Sequence, residues 1–329
     1  MTDFTRRQAL ATGSALAVAT MLPRFARAAI PVRLTSVQFG SVSWLIDTIR
    51  FEKFDQKHGL DLHVVEVANN PAAPVALLSG AADVAVSDWT WALRQRAKGD
   101  DLKFAPYSSA LGSLMVPKGS SAKSLADLKG KKIGVAGTGI DKSWILLRAY
   151  SRKVLGKDIA TLAEPVFGAA PLVTAEFQNG RLDAVLNFWT YAARLEAGGA
   201  RDVLTMADVI KGLGVSPTPP LVGFIWSEKL VHEKRVPVDL LLAAVSDANV
   251  VLAKSDAAWD RLRPLIRPAS DAELVAIKKY YRSGIPGPWG ADETSAAKKL
   301  TKLLIELGDT ELVGDGTRFD QGLFHTQAG

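Results

Sequence analysis

The 329-residue chain has no cysteine, so disulfides, zinc–thiolate sites, iron–sulfur clusters and cysteine nucleophiles are excluded. Its four histidines, His58, His63, His232 and His325, have no metal-ligand spacing, and neither H-E-x-x-H nor G-x-S-x-G occurs. Catalysis therefore has no constellation to work with, and no metal or cofactor is expected. What remains is recognition. Trp44, Trp89, Trp144 and Trp189 are four of the eight tryptophans, and their faces could sandwich a flat or cationic ligand. Asp88 beside Trp89 could select an ammonium or a hydrogen-bond donor, or else cap the helix that follows it. Gly137-Thr138-Gly139-Ile140-Asp141-Lys142-Ser143 precedes a helical pattern, where backbone N–H groups favour an anion unless Asp141 occupies that place itself. Lys142 stands where G-x-G-x-x-G needs glycine, which argues against a nucleotide.

These residues are positioned by a repeat with an offset of 100. Ser43-Trp44 matches Ser143-Trp144, Pro71 matches Pro171, Gly80 matches Gly180, Asp83 matches Asp183 and Trp89-Thr90 matches Trp189-Thr190. Each copy opens on an apolar strand pattern, Val32–Val37 or Ile133–Ala136, followed by a glycine-containing loop and an amphipathic helix. A second strand follows, then a helix opened by proline and closed by glycine, then a third short strand. Strands alternating with helices predict α/β architecture: two Rossmann-like lobes with mainly parallel sheets and helices on both faces. Ligands bind beyond the carboxyl ends of such strands. That places Gln38, Trp44, Asn70, Asp88 and Trp89 at the cleft from one lobe, and Thr138, Asp141, Ser143, Trp144, Asn187, Trp189 and Tyr191 from the other. The tryptophans could equally pack inside their own lobes, as most large apolar residues do. The stretches Lys103–Val116 and Gly212–Pro220 are the expected crossings, and Val238–Leu307 has helical patterning that should pack back on the first lobe.

Residues 1–28 read as an export signal. Arg6-Arg7 precede an uncharged run from Ala9 to Leu22, then Pro23 and Ala26-Arg27-Ala28, with cleavage expected between Ala28 and Ala29. The run is too short for a spanning helix, and Thr5-Arg6-Arg7-Gln8 is similar to a twin-arginine motif, with Ala9 where an aromatic residue is usual. Setting that segment aside removes four arginines and one aspartate and lowers the net charge from +6 to +3. No basic tract suggests nucleic acid.

Further resemblance lies in Gly59-Leu60-Asp61-Leu62, Ser79–Val86, Ala97-Lys98-Gly99-Asp100-Asp101-Leu102-Lys103, Val116-Pro117-Lys118 and above all Ser124-Leu125-Ala126-Asp127-Leu128-Lys129-Gly130-Lys131-Lys132. In this order they resemble the periplasmic solute-binding proteins of ABC importers for sulfonates, nitrate, taurine and thiamine precursors, the NMT1/THI5-like group. The resemblance spans about residues 32–230. It implies a type II periplasmic binding fold with a two-strand hinge, lobe one formed by 29–113 plus 221–329 and lobe two by 114–220. It further implies a periplasmic monomer that captures a small organic solute for an inner-membrane permease by hinge closure, without catalysis. An exported enzyme or a sensor or cofactor-binding protein on the same fold is the alternative. The predicted cleft loops contain no arginine, which favours a ligand with a donor or cationic nitrogen, zwitterions included, over a bare anion.

Overall fold

The computed structural model describes residues 29–37, 40–234, 236–306, 314 and 317–326. The expected export signal at 1–28 and the candidate ligand residue Gln38 lie outside the described residues. The first repeat folds as β1 (Ile30–Val37), α1 (Ser41–Phe51), α2 (Phe54–Lys57), β2 (Leu60–Val67), α3 (Ala72–Leu78), β3 (Ala85–Asp88), α4 (Trp89–Ala97) and β4 (Leu102–Ser108). The chain then crosses through Ser109–Gly112 to β5 (Ser113–Val116). The second repeat supplies β6 (Lys132–Ala136), α5 (Lys142–Leu155), α6 (Ile159–Leu162), β7 (Glu164–Gly168), α7 (Ala170–Gln178), β8 (Ala184–Asn187), α8 (Trp189–Ala197), β9 (Arg201–Thr205) and α9 (Met206–Gly212). A return through Leu213–Leu221 leads to β10 (Val222–Ser227), and α10 (Glu228–Lys234), α11 (Val238–Lys254), α12 (Asp256–Ile266), α13 (Asp271–Ser283) and α14 (Ala291–Glu306) complete the order.

Two sheets result. One runs β7-β6-β8-β5-β9. In the other, β1 pairs with β2 and the trio β3-β10-β4 joins them through the parallel bridge Leu34↔Val84 and the bond from Thr35 N–H to Val84 O, 3.0 Å. The two orders then correspond strand for strand. In each, the fourth strand is antiparallel and arrives from across a crossing: β10 in the first sheet, β5 in the second. The stretch Lys103–Val116, one strand-like run in the sequence, is thus divided between two sheets.

The repeated residues explain the repeated geometry. Gly80 and Gly180 close α3 and α7 at φ +73° and +72°, the left-handed region that only glycine enters without strain. Asp83 and Asp183 accept from the backbone N–H of Arg33 and Lys132, at 3.0 and 2.8 Å, and so fix where the third strand of each repeat meets the first. Helices α11 and α12 pack on α1 around Leu241, Leu252, Trp259 and Leu262, as the helical pattern predicts. Helix α13 shares that core through Leu274, Ile277 and Tyr281 and also lies against α8 of the second repeat, while α14 joins, through Ala297, Leu300 and Leu304, a core lined from both repeats, with Trp89 and Phe104 as well as Leu146, Ile210 and Leu213.

Candidate ligand-binding cleft

Asp88 ends β3 in the first sheet, and Lys142 begins α5 just past β6 in the second. Their Nζ–Oδ2 separation is 3.7 Å, so the carboxyl ends of the two sheets face each other and a charge from each meets between them. Asp88 is also the N-cap of α4, its Oδ1 accepting from Trp91 N–H at 2.9 Å and from the Thr90 hydroxyl. Burial opposes its ionisation, yet Lys142, Thr90, Trp91 and the Arg94 guanidinium together hold its pKa below the usual aspartate value. For Lys142, burial is outweighed by Asp88 and Asp141, and its pKa is raised. Asp141 goes the other way, pushed up by burial despite Lys142 and Ser143, with Asp88 adding repulsion. It caps α5 by accepting from Ser143 N–H at 2.9 Å.

Two expected uses are therefore resolved locally. Both carboxylates serve as caps, and Asp88 additionally holds a lysine, so neither is a spare negative charge waiting for an ammonium. The loop Gly137–Asp141 turns tightly, with Gly137 at φ +103°, and a Cβ there would sit 3.3 Å from the Asp141 side chain. The Thr138 hydroxyl accepts from Ile140 N–H at 3.4 Å within the same turn.

The tryptophans depart from the sandwich expectation for a packing reason. Trp89 is completely buried, donates its indole N–H to Pro220 O at 3.0 Å and lies edge-on to Phe324 at 6.0 Å. Trp44 and Trp144 are buried too, the latter against Phe167 at 5.7 Å. Trp189, 9% exposed, crosses from the second repeat to meet Trp44 at 5.9 Å and Tyr281 at 6.3 Å. None offers a ring face to the cleft. Asn187 is likewise buried and satisfied: its amide donates to Thr174 Oγ1 at 2.8 Å and its carbonyl accepts from Phe188 N–H at 2.9 Å. Asn70 is exposed at the start of α3, and Tyr191 is half-buried with its phenol pKa raised by that burial. Sequence reasoning missed Lys142 and Arg94 as cleft cations. Lys142 had drawn notice only as a departure from a glycine motif, while Arg94 lies inside α4, beyond the strand-end loops.

Helix α8 forms the broadest helix–helix contact, on α13. Arg194 donates to Glu273 Oε1 at 2.9 Å and to Ile266 O at 2.8 Å, and Glu196 accepts from the Tyr280 hydroxyl at 2.6 Å and Lys279 at 3.0 Å. No group of three or more His, Asp or Glu among the described residues could hold a metal.

A family model described as NMT1/THI5-like matches residues 54–254, more than half of the chain. A Haemophilus influenzae protein named for thiamine biosynthesis is 30% identical over 135 residues, 40% of this chain and 41% of that relative, so the chain spans under half the length of the curated relative it matches. Among solved structures, the alkanesulfonate-binding protein SsuA from Xanthomonas axonopodis pv. citri, bound to MOPS, aligns with a TM-score of 0.69 at 19% identity, covering 90% of this chain and 98% of that one. The periplasmic aliphatic sulphonate-binding protein SsuA from Escherichia coli aligns at 0.71 and 18%, covering 91% and 93%. The desulfurization enzyme DSZB aligns at 0.59 and 16%, covering 89% and 97%. These structures share the two-lobed α/β fold with the chain.

Proposed function

Because the chain belongs to the NMT1/THI5-like family, we propose that it is the substrate-binding component of an ABC importer, capturing a small organic solute between its lobes. The lobes are taken as 29–113 plus 221–329 and 114–220. The observation that carries this reading is the Asp88–Lys142 pair, which brings charges from two sheets together at the strand ends where α/β folds bind ligands. A solute touching both lobes stabilises the closed arrangement by its differential affinity for it. Lys142 and Arg94 supply donors on opposite sides, while Thr138, Ser143 and Tyr191 line the second lobe's contribution. No thiol exists for covalent chemistry, and the two carboxylates of the cleft are committed as caps, so binding rather than catalysis is the role the residues support.

On this reading the protein is periplasmic, is released by cleavage near Ala28-Ala29, acts as a monomer and delivers its solute to an inner-membrane permease. Thermal-shift screening of sulfonates, amino acids and pyrimidines, followed by small-angle scattering with each hit, tests it. A hit that shrinks the particle supports capture by closure. Saturating binding with an unchanged scattering profile overturns closure.

A further inference from the structure

The repeat offers an internal control, because each residue at the mouth of the second lobe has a counterpart 100 positions earlier. Ile140, Phe167 and Leu172 are 54%, 43% and 56% exposed. Their counterparts are Gly40, Val67 and Ala72, smaller residues that are all at least partly covered. At these three matched positions one lobe thus displays large apolar side chains and its twin smaller, more covered residues. They share one location at the carboxyl ends of β6 and β7. A Cβ on Gly139 would lie 3.8 Å from Phe167 Cζ, one on Gly168 would lie 3.4 Å from Leu172 Cδ2, and the Phe167 ring stands edge-on to Trp144 at an interplanar angle of 82°. Glycines at 137, 139 and 168 leave the chain without side chains of its own to cover this surface, and two residues beyond Ile140 the Lys142 ammonium faces Asp88. Exposed apolar surface next to a charged pair is the pattern of a site that holds an organic ligand by its body and orients it by its polar end.

We propose that Ile140 and Phe167, backed by Leu172, are the specificity-determining residues of the cleft, forming a one-sided wall that receives an aromatic ring while the ligand's polar end lies at Lys142 and Asp88. The assignment rests on the solute-capture reading and adds to it that selection is by ring rather than by head-group charge. Asp88 of lobe one and Lys142 of lobe two supply the polar partners, and lobe two supplies the apolar face.

Isothermal titration of the purified chain with three matched pairs tests this: acetate and benzoate, methanesulfonate and benzenesulfonate, methylamine and benzylamine. In at least one pair the ring-bearing member should bind ~10-fold or more tightly than its partner, as burial of a ring's apolar area dictates. Ile140→Ala and Phe167→Ala should each remove most of that advantage and leave the ring-free member within about 2-fold of its original affinity. Ile140 is exposed, so its variant keeps the melting temperature and separates recognition from folding. Equal affinity within all three pairs, equal losses for both members in the variants, or no binding by any ring-bearing compound overturns the wall. Docking of a protein partner on this surface would give that second or third result. Scattering on whichever complex forms keeps the two readings apart: compaction with a ring-free compound alone sustains capture while the wall fails, and ring-selective binding without compaction does the reverse.

Discussion

Asp88 carries two loads, a helix cap and a charge shared with Lys142. Asp88→Asn separates them, because asparagine caps as well as aspartate but holds no lysine. The variant should lose about 1 kcal/mol at pH 7, a Tm drop of a few degrees for a chain of this size. The sign with pH follows from the depressed folded pKa. The charge's contribution is complete above the unfolded aspartate value of about 3.9 and disappears as pH falls through the folded one. Melts of both proteins from pH 7 to 2.5 should therefore converge in acid, and a gap that stays constant or widens there would count against the pair. Asn187 yields a second expectation. Removing its amide in Asn187→Ala leaves Phe188 N–H without its acceptor and takes the donor from the Thr174 hydroxyl, which still donates to Ala170 O at 2.6 Å, at a cost of about 1–3 kcal/mol in denaturant unfolding. The positions of both residues at strand ends were legible in the sequence, but their uses were not. A strand-end Asp or Asn bonds either a ligand or the next turn of its own backbone, and only coordinates decide which.

At the scale of elements the sequence was informative where backbone geometry constrains residue type. Pro71 and Pro171, Gly80 and Gly180, and Asp83 and Asp183 marked helix starts, helix ends and strand entries, and the structure uses them so. The matched tryptophans misled for the same reason. Duplicated residues record what both lobes need, which is packing at the first turn of α4 and α8, whereas the residues proposed for recognition lie where the copies differ, at Asp88 against Phe188 and Ile140 against Gly40. No local pattern marked the close crossing of chains at Gly112. A Cβ there would fall 1.9 Å from Asn187 O and 2.9 Å from its carbonyl carbon, a backbone contact that cannot yield. Gly112→Ala should cost about 3 kcal/mol or more, seen as a large fall in urea midpoint or in soluble yield. Wild-type stability in that variant would show that the crossing is looser than described.

Among the described residues the molecule is held by two crossings and by a broad helix contact, α8 of the second repeat on α13, and these set how it can move. Ser109–Gly112 and Leu213–Leu221 lie where the sheets exchange strands, and Ser109 N–H is tied to Gly284 O, at the end of α13, at 2.8 Å. The α8–α13 contact therefore abuts a crossing, while Asp88–Lys142 joins the strand ends. Rotation of the lobes should pivot near α8 and open at Lys142, since Arg194 and Glu196 each bind α13 or its approach through two partners whereas a 3.7 Å ion pair yields to any competing solute. Arg194→Ala removes the tie from the pivot and leaves the buried Glu273 carboxylate with the Ala269 N–H as its remaining partner among the described residues. The expected loss is about 2–4 kcal/mol, and the ligand-free radius of gyration should rise because the pivot loosens. Lys142→Ala should instead raise that radius at a smaller cost, about 1 kcal/mol as for Asp88→Asn, because it breaks one ion pair and leaves Asp88 its cap bonds to Thr90 and Trp91. Scattering and melting curves on the two variants thus distinguish pivot from mouth: a large stability loss in Lys142→Ala with none in Arg194→Ala would place the pivot at the strand ends instead.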